Sequence, residues 1–125
     1  MDKVTHFEIP ADNVDRAKDF YKNVFDWEIV PMPEMNYTIV RTVEVDDKQM
    51  PKEVAAINGG IAKRNENFKS PVIVMNVVDI DKSVEKIKKA GGQVLGEKMQ
   101  VGDMGLYIYA KDPEGNVIGV WQNLK

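Results

Sequence analysis

The chain has 125 residues, 43% of them hydrophobic and 30% charged, with a formal net charge of −3 and no cysteine. This length makes one globular domain, and the missing cysteine excludes disulfides, thiolate metal sites and cysteine nucleophiles. Because the chain has neither a basic patch nor an apolar run near the roughly 20 residues that span a bilayer, we expect a cytoplasmic protein with no nucleic-acid or membrane partner.

The first predicted element is a strand, VTHFEIP, which covers Val4–Pro10. Successive side chains of a strand point to opposite faces, so His6 and Glu8 share one face, about 7 Å apart along the strand. Phe7 and Ile9 take the other face. His6 is the only histidine of the chain, and its position beside a carboxylate marks this strand as a candidate site.

A helix is predicted next, and either Asp12 or Asn13 can cap it. Six apolar side chains at helical spacing predict one buried stripe: Val14, Ala17, Phe20, Tyr21, Val24 and Phe25. A second strand begins at Trp27. The alternation in EMNYTIVRTVEVDD predicts a third strand, and EVAAINGGIA predicts a fourth.

The polar segment KRNENFKSP, residues 63–71, ends in proline and predicts a linker between two halves of the chain. After it, Val72–Val78 predicts a strand and Asp79 a helix cap, while Gly91 and Gly92 end the helix by supplying positive φ. Four apolar side chains of this helix are predicted to face inward: Ile80, Val84, Ile87 and Ala90.

The last segment, LYIYAKDPEGNVIGVWQ, predicts a hairpin whose turn is Asp112–Asn116. Each half then has the order β-α-β-β-β. A shift of 66 residues superposes Val14 on Ile80, which indicates an internal duplication. We therefore predict one domain, 1–125, made of two modules, about 1–62 and 71–125, with a linker at 63–70.

A duplicated unit with HFEIPADNVDRAKDFYKNVFDWEI early and KDPEGNVIGVWQ at the end resembles the vicinal oxygen chelate superfamily of glyoxalase I, bleomycin resistance proteins and extradiol dioxygenases. Within it, these segments resemble the group related to lactoylglutathione lyase. The resemblance implies an α+β fold of tandem βαβββ repeats that form a curved mixed sheet around a central cleft. It also implies a homodimer.

The resemblance further implies a metal site with one ligand from the first strand and one from the last strand of each half. His6 matches one of these positions, but Val72 and Gly119 occupy two others, and the fourth falls at Gly59 or Gly60. One donor is too few for Zn²⁺ or Fe²⁺, so we expect no metal at the usual site. A divalent metal is expected only at a relocated site in which Glu8 joins His6, with a residue such as Glu53 or Asp103 as a further ligand.

Several roles remain open for His6 and Glu8 on a face that the resemblance places at the cleft. The alternatives are an inert hydrogen-bonded pair, a pair that orients a small-molecule ligand, an acid–base pair, or part of a metal site. Five aromatic side chains on or beside strands are either ordinary packing or a wall for a planar ligand: Trp27, Tyr37, Tyr107, Tyr109 and Trp121. The missing side chain at Gly119 predicts room for a ligand against the indole of Trp121.

These observations favour a metal-free protein that binds a small molecule in its cleft. The expected ligand-binding residues are six: His6, Glu8, Trp27, Tyr37, Tyr107 and Trp121. The alternative is a metal-dependent lyase or isomerase related to lactoylglutathione lyase, or an activity related to the dioxygenases, with His6 and Glu8 as ligands or as the acid–base pair.

Overall fold

The computed structural model describes all 125 residues and contains two α-helices, a short 3-10 helix at Pro33–Met35 and eight strands. The strands are Lys3–Ala11 (β1), Glu28–Met32 (β2), Tyr37–Arg41 (β3), Asn58–Lys63 (β4), Val72–Asn76 (β5), Gln93–Val101 (β6), Gly105–Lys111 (β7) and Val117–Asn123 (β8). The α-helices are Val14–Phe25 (α1) and Ile80–Lys89 (α2). None of the helices has the length and hydrophobicity of a transmembrane span. The predicted α+β class and the β-α-β-β-β order of each half are confirmed.

The chain divides into two compact units: an N-terminal unit, His6–Pro71, and a C-terminal unit, Val72–Lys125 together with Met1–Thr5. The strand order of the N-terminal unit is β2-β3-β4-β1, and that of the C-terminal unit is β5-β8-β7-β6. In each unit the first strand pairs in parallel with the last, and the other neighbours are antiparallel. The two units therefore repeat one topology.

The sheet of the N-terminal unit packs one face against α1, which Asn13 caps by accepting a hydrogen bond from the Arg16 amide at 3.0 Å. Buried Ala11, Val40 and Ile61 form the centre of this core. The predicted stripe of α1 is only partly right, since Val14, Ala17 and Tyr21 pack on the core whereas three members remain more than half exposed: Phe20, Val24 and Phe25.

The connection between β3 and β4 is longer than predicted, because β3 ends at Arg41 and β4 begins at Asn58. The Asn58 side-chain oxygen accepts hydrogen bonds from the amides of Thr42, at 2.8 Å, and Val43, at 3.1 Å. The Thr42 hydroxyl donates to the Ile57 carbonyl at 2.6 Å. These hydrogen bonds engage the backbone amides of Thr42 and Val43 and the carbonyl of Ile57, which are then not available for strand pairing. They also hold the two ends of an irregular loop together.

The segment between β4 and β5, predicted as a linker, carries one buried aromatic side chain. Phe68 is 1% exposed, and its backbone exchanges two hydrogen bonds with that of Asn65. The Arg64 amide donates to the Ala11 carbonyl at 2.9 Å, while the Arg64 side chain pairs with Asp12 at 3.1 Å. The resulting turn directs one aromatic side chain into the interior.

In the C-terminal unit, Asp79 caps α2 as predicted and accepts from the Lys82 amide at 3.1 Å. Eight apolar side chains of this unit pack together on the α2 side of the sheet: Val77, Ile80, Val84, Ile87, Val94, Leu106, Ile108 and Val120. Ala90, predicted to face inward, is exposed at the end of α2. Gly91 has φ +92 as predicted, whereas Gly92 instead allows close packing, because a β-carbon there would lie 2.8 Å from a carbonyl oxygen.

Candidate functional site

His6 and Glu8 lie on the face of the N-terminal sheet that points away from α1, called here the His6 face. The alternation of β1 puts Phe7 and Ile9 on the opposite side, where both pack on the core beneath α1. Glu8 is 6% exposed, whereas His6 is half-buried. Every buried side-chain oxygen and nitrogen of the protein has a hydrogen-bond partner, so this polar face is satisfied internally.

The central contact of the His6 face is a hydrogen bond of 2.9 Å between His6 Nε2 and Tyr37 Oη. The two rings are nearly parallel, with an interplanar angle of 22° and centroids 6.5 Å apart. His6 is on β1 and Tyr37 on β3, so the contact reaches across β4. The structure thus brings together three predicted site residues: His6, Glu8 and Tyr37.

Gly60 of β4 makes this contact possible. It pairs with Glu8 on one side and with Ile39 on the other. A β-carbon at this position would overlap the hydroxyl of Tyr37, so only glycine lets the phenol lie across the strand toward His6. The glycine pair in INGGIA is the sequence signal for such a close approach.

Burial lowers the pKa of the His6 imidazole, and the nearby charge of Glu8 opposes that effect by raising it. Burial is the larger effect, so His6 is neutral at pH near 7. A neutral imidazole has one nitrogen that donates a hydrogen bond and one that accepts a hydrogen bond or a proton. The site can therefore bind an uncharged group or accept a proton from a bound molecule.

In the C-terminal unit, Tyr107, Gly119 and Trp121 share the sheet face that points away from α2, since the intervening Ile108 and Val120 pack on the α2 side. The prediction of ligand room at Gly119 is wrong. A β-carbon built there would lie 2.5 Å from Tyr107 Oη, because that hydroxyl already fills the space.

Trp121 packs closely over Gly105 and donates from Nε1 to the Asn123 side-chain oxygen at 2.7 Å. Its ring centroid is 6.2 Å from that of Tyr107. The Tyr107 ring also meets Tyr109 edge to face at 4.9 Å. The aromatic residues predicted in this half therefore form one contiguous cluster.

Trp27 lies on the α1 side of the N-terminal sheet and not on the His6 face. Its ring stacks on Tyr21, with centroids 4.7 Å apart and an angle of 9°, and it lies 5.6 Å from Phe7. Trp27 precedes the first residue of β2, Glu28, so strand alternation could not assign its face.

The side chains present do not fit the metal site that the family resemblance implies. The hydroxyls of Tyr37 and Tyr107 cover Gly60 and Gly119, and Val72 has no donor atom. No group of three or more His, Cys, Asp or Glu side chains lies close enough to share a metal ion.

Glu53 and Asp103, the further carboxylates considered for a relocated site, join no group of potential metal ligands. Glu53 is exposed on the irregular loop between β3 and β4. Asp103 pairs with Lys125 at 2.7 Å, and the hydrogen bond from that ammonium lowers the pKa of the Asp103 carboxyl.

Residues 3–120 match the family model described as the Glyoxalase/Bleomycin resistance protein/Dioxygenase superfamily. The match covers most of the chain and agrees with the duplicated topology. The protein belongs to this superfamily.

Two curated relatives are identical to this chain at about a quarter of the aligned positions. A glyoxylase-like domain-containing protein of Didymella fabae is 28% identical over 116 residues, which cover 91% of this chain and 88% of that protein. A Mycobacterium bovis protein named "Putative glyoxylase CFP32" is 26% identical over 106 residues. That match covers 85% of this chain but only 40% of the mycobacterial protein, so the chain spans less than half of its length.

Among solved structures, a Streptomyces coelicolor methylmalonyl-CoA epimerase in complex with 2-nitronate-propionyl-CoA superposes with a TM-score of 0.67 at 14% identity, covering 98% of each chain. A superfamily member from Vibrio splendidus gives a TM-score of 0.64 at 10% identity, covering 98% of this chain and 99% of the other. At these identities the similarity establishes the fold alone.

Proposed function

We propose that this protein is a small-molecule-binding member of the superfamily that works without the family's usual metal site. The hydrogen bond between His6 and Tyr37, next to buried Glu8, carries the proposal. Three polar side chains converge on one sheet face, which is the arrangement that orients ligands in protein binding sites. Tyr107 and Trp121 are proposed as further ligand contacts on the aromatic face of the C-terminal unit.

Because the chain has one histidine, its ring signals report directly on this site in NMR spectra of protein labelled with ¹³C-histidine. Titration with indole, 2-naphthol, 2-acetylnaphthalene and 2-naphthoate is expected to give a saturable shift of the His6 signals with at least one compound. Strictly linear or absent responses to all four would contradict the proposal.

The metal-free part of the proposal is tested separately by calorimetric titration with Ni²⁺, Zn²⁺ and Fe²⁺. We expect no stoichiometric binding, because a catalytic site for these ions needs at least three protein donors. Stoichiometric binding that His6→Ala abolishes would contradict it.

A second candidate function is that of a lyase or isomerase related to lactoylglutathione lyase. It is supported by the neutral imidazole of His6, which is able to accept a proton from a carbon next to a carbonyl group, with Glu8 beside it. The test is turnover of the hemithioacetal of methylglyoxal and glutathione. Activity that is lost in both His6→Gln and Glu8→Gln would favour this candidate, and no turnover would remove it.

Self-association and a cytoplasmic location complete the proposal. Sedimentation velocity is expected to show a homodimer, in keeping with the family resemblance, and a monomer at all concentrations would contradict that part. Cell fractionation tests the location.

A further inference from the structure

The N-terminal unit has an open pocket beside α1, away from the His6 face. The pocket has a volume of about 380 Å³ and lies next to the first turns of α1, where β1 ends and the turn after β4 begins. Ala11 and Arg64 line it together with three residues of α1: Arg16, Ala17 and Phe20. Clefts of a few hundred cubic ångströms are typical of small-molecule sites. The functions considered so far do not use this pocket.

Arg64 is held in place at the wall of this pocket. Its backbone amide donates to the Ala11 carbonyl at 2.9 Å. Its side chain donates from Nε to Asp12 Oδ1 at 3.1 Å and from Nη1 to the Lys69 carbonyl. A guanidinium has five N–H donors, so these two side-chain contacts leave three donors of Arg64 for a ligand.

Arg16 is the second cation of the pocket, and its guanidinium forms no hydrogen bond or ion pair with the rest of the protein. Only the backbone amide of this residue is engaged, by Asn13 Oδ1 at 3.0 Å. The pocket is lined by two arginines and by one carboxylate, that of Asp12, so it has an excess of one positive charge. The chain as a whole has a net charge of −3, which makes this excess a local feature.

Phe20 gives the pocket an exposed aromatic surface. It follows Arg16 by four residues, so the two side chains lie on the same side of α1. The residue is 54% exposed, and its ring meets Tyr21 edge to face, with centroids 5.1 Å apart. Tyr21 in turn stacks on Trp27. The protein therefore supports this ring from below and leaves much of it open, next to two guanidinium groups.

This combination suits a flat ligand with a single negative charge. A guanidinium binds a carboxylate through two parallel hydrogen bonds. An aromatic ring attached to that carboxylate is able to bury its surface against Phe20 and Ala17. A second negative charge on the ligand would be opposed by Asp12, because the pocket has only one positive charge in excess.

We propose that this pocket binds a planar aromatic carboxylate. The carboxylate hydrogen-bonds to the guanidinium groups of Arg16 and Arg64, and the ring packs on Phe20. The inference goes beyond the proposed function, because it places a second ligand site on the N-terminal unit, separate from the His6 face.

The chain has three arginines, so the Nε–H signals of protein labelled with ¹⁵N-arginine report on this pocket residue by residue. Titration with 2-naphthoate is expected to shift the Arg16 and Arg64 signals saturably. The third arginine, Arg41, donates to Glu28 and Gln49 and serves as the internal control whose signal stays in place. 2-Naphthol has the same ring system without the carboxylate and is expected to bind at least about tenfold more weakly.

Three variants separate the contributions of charge and ring. Arg16→Gln should weaken the binding of 2-naphthoate about tenfold, measured at the Arg64 signal. Phe20→Ala should weaken it about fivefold. Lys22→Gln removes an exposed cation of the same helix that does not line the pocket, and it should leave the affinity unchanged.

An absent or strictly linear response of Arg16 and Arg64 to 2-naphthoate would overturn the inference. An equal shift at Arg41, 2-naphthol binding as tight as that of 2-naphthoate, or equal losses of affinity in Arg16→Gln and Lys22→Gln would overturn it as well. The proposed function is judged from the His6 signals alone, so the failure of one proposal is distinguishable from the failure of the other.

Discussion

The phenol oxygen of Tyr37 overlaps the position that a β-carbon at Gly60 would take. Gly60→Ala must therefore displace the tyrosine and break its hydrogen bond to His6. We expect the free energy of unfolding in urea to fall by about 1–3 kcal/mol, the usual cost of an extra methyl group in a packed site.

The matched control is the same substitution in a Tyr37→Ala background. With the phenol gone the added methyl has space, so the cost of Gly60→Ala should drop below about 1 kcal/mol. If the two substitutions are additive, the tyrosine does not lie over the glycine in solution.

Phe68 offers a test of the turn between β4 and β5. Phe68→Ala should lower the free energy of unfolding by about 3–5 kcal/mol, because it empties a fully buried position. Should that variant fail to fold, Phe68→Leu keeps most of the volume and should cost about 1 kcal/mol. Phe20→Ala, at a position 54% exposed on α1, should cost under about 1 kcal/mol. Comparable losses for Phe68→Ala and Phe20→Ala would contradict the buried position of Phe68.

The lowered pKa of His6 predicts how stability depends on pH. The unfolded chain binds its proton near the ordinary value of 6.5 and the folded protein only at lower pH. Between these two pKa values the unfolded state therefore binds more protons than the folded state. The stability due to neutral His6 is present above pH 6.5 and is lost as the pH falls through the pKa of His6 in the folded protein. Urea unfolding between about pH 7.5 and about pH 5.5 measures the slope, and His6→Gln should flatten it. An unchanged slope in that variant would exclude His6 as its source.

Both helices begin at a side chain that caps them. Asn13→Ala and Asp79→Ala should each lower the free energy of unfolding by about 1 kcal/mol, because each removes the acceptor for a first-turn amide. Asn23→Ala, at an exposed position late in α1, should stay within about 0.5 kcal/mol. Thermal and urea unfolding give both values, and a loss at Asn23 equal to that at Asn13 would argue against capping.

Local patterns predicted much of this fold. The cap at Asp79, the choice of Asp12 or Asn13 for the first cap, the hairpin turn at Asp112–Asn116 and the order of elements within each half all depend on residues close in sequence. The shared face of His6 and Glu8 follows from the two-residue period of a strand. Such features need no knowledge of how distant segments meet.

The features that define the candidate site depend on strand register, which composition and periodicity do not provide. Tyr37 and His6 are 31 residues apart and meet only because β4 lies between their strands with a glycine at the crossing point. The hydroxyl of Tyr107 over Gly119 has the same origin, and it turned an expected space into a filled one. Phe68 was missed because a single aromatic residue among polar neighbours carries no periodic signal.

The side-chain oxygen of Asn58, at the end of the loop between β3 and β4, accepts hydrogen bonds from the backbone amides of Thr42 and Val43 at its start. Because these hydrogen bonds hold the two ends of the loop together, we expect the strand register to be insensitive to the number of residues in the loop. Lengthening a closed loop costs only a logarithmic amount of chain entropy. We therefore expect that a peptide tag inserted between Asp46 and Gln49 leaves the strand pairing around His6 unchanged.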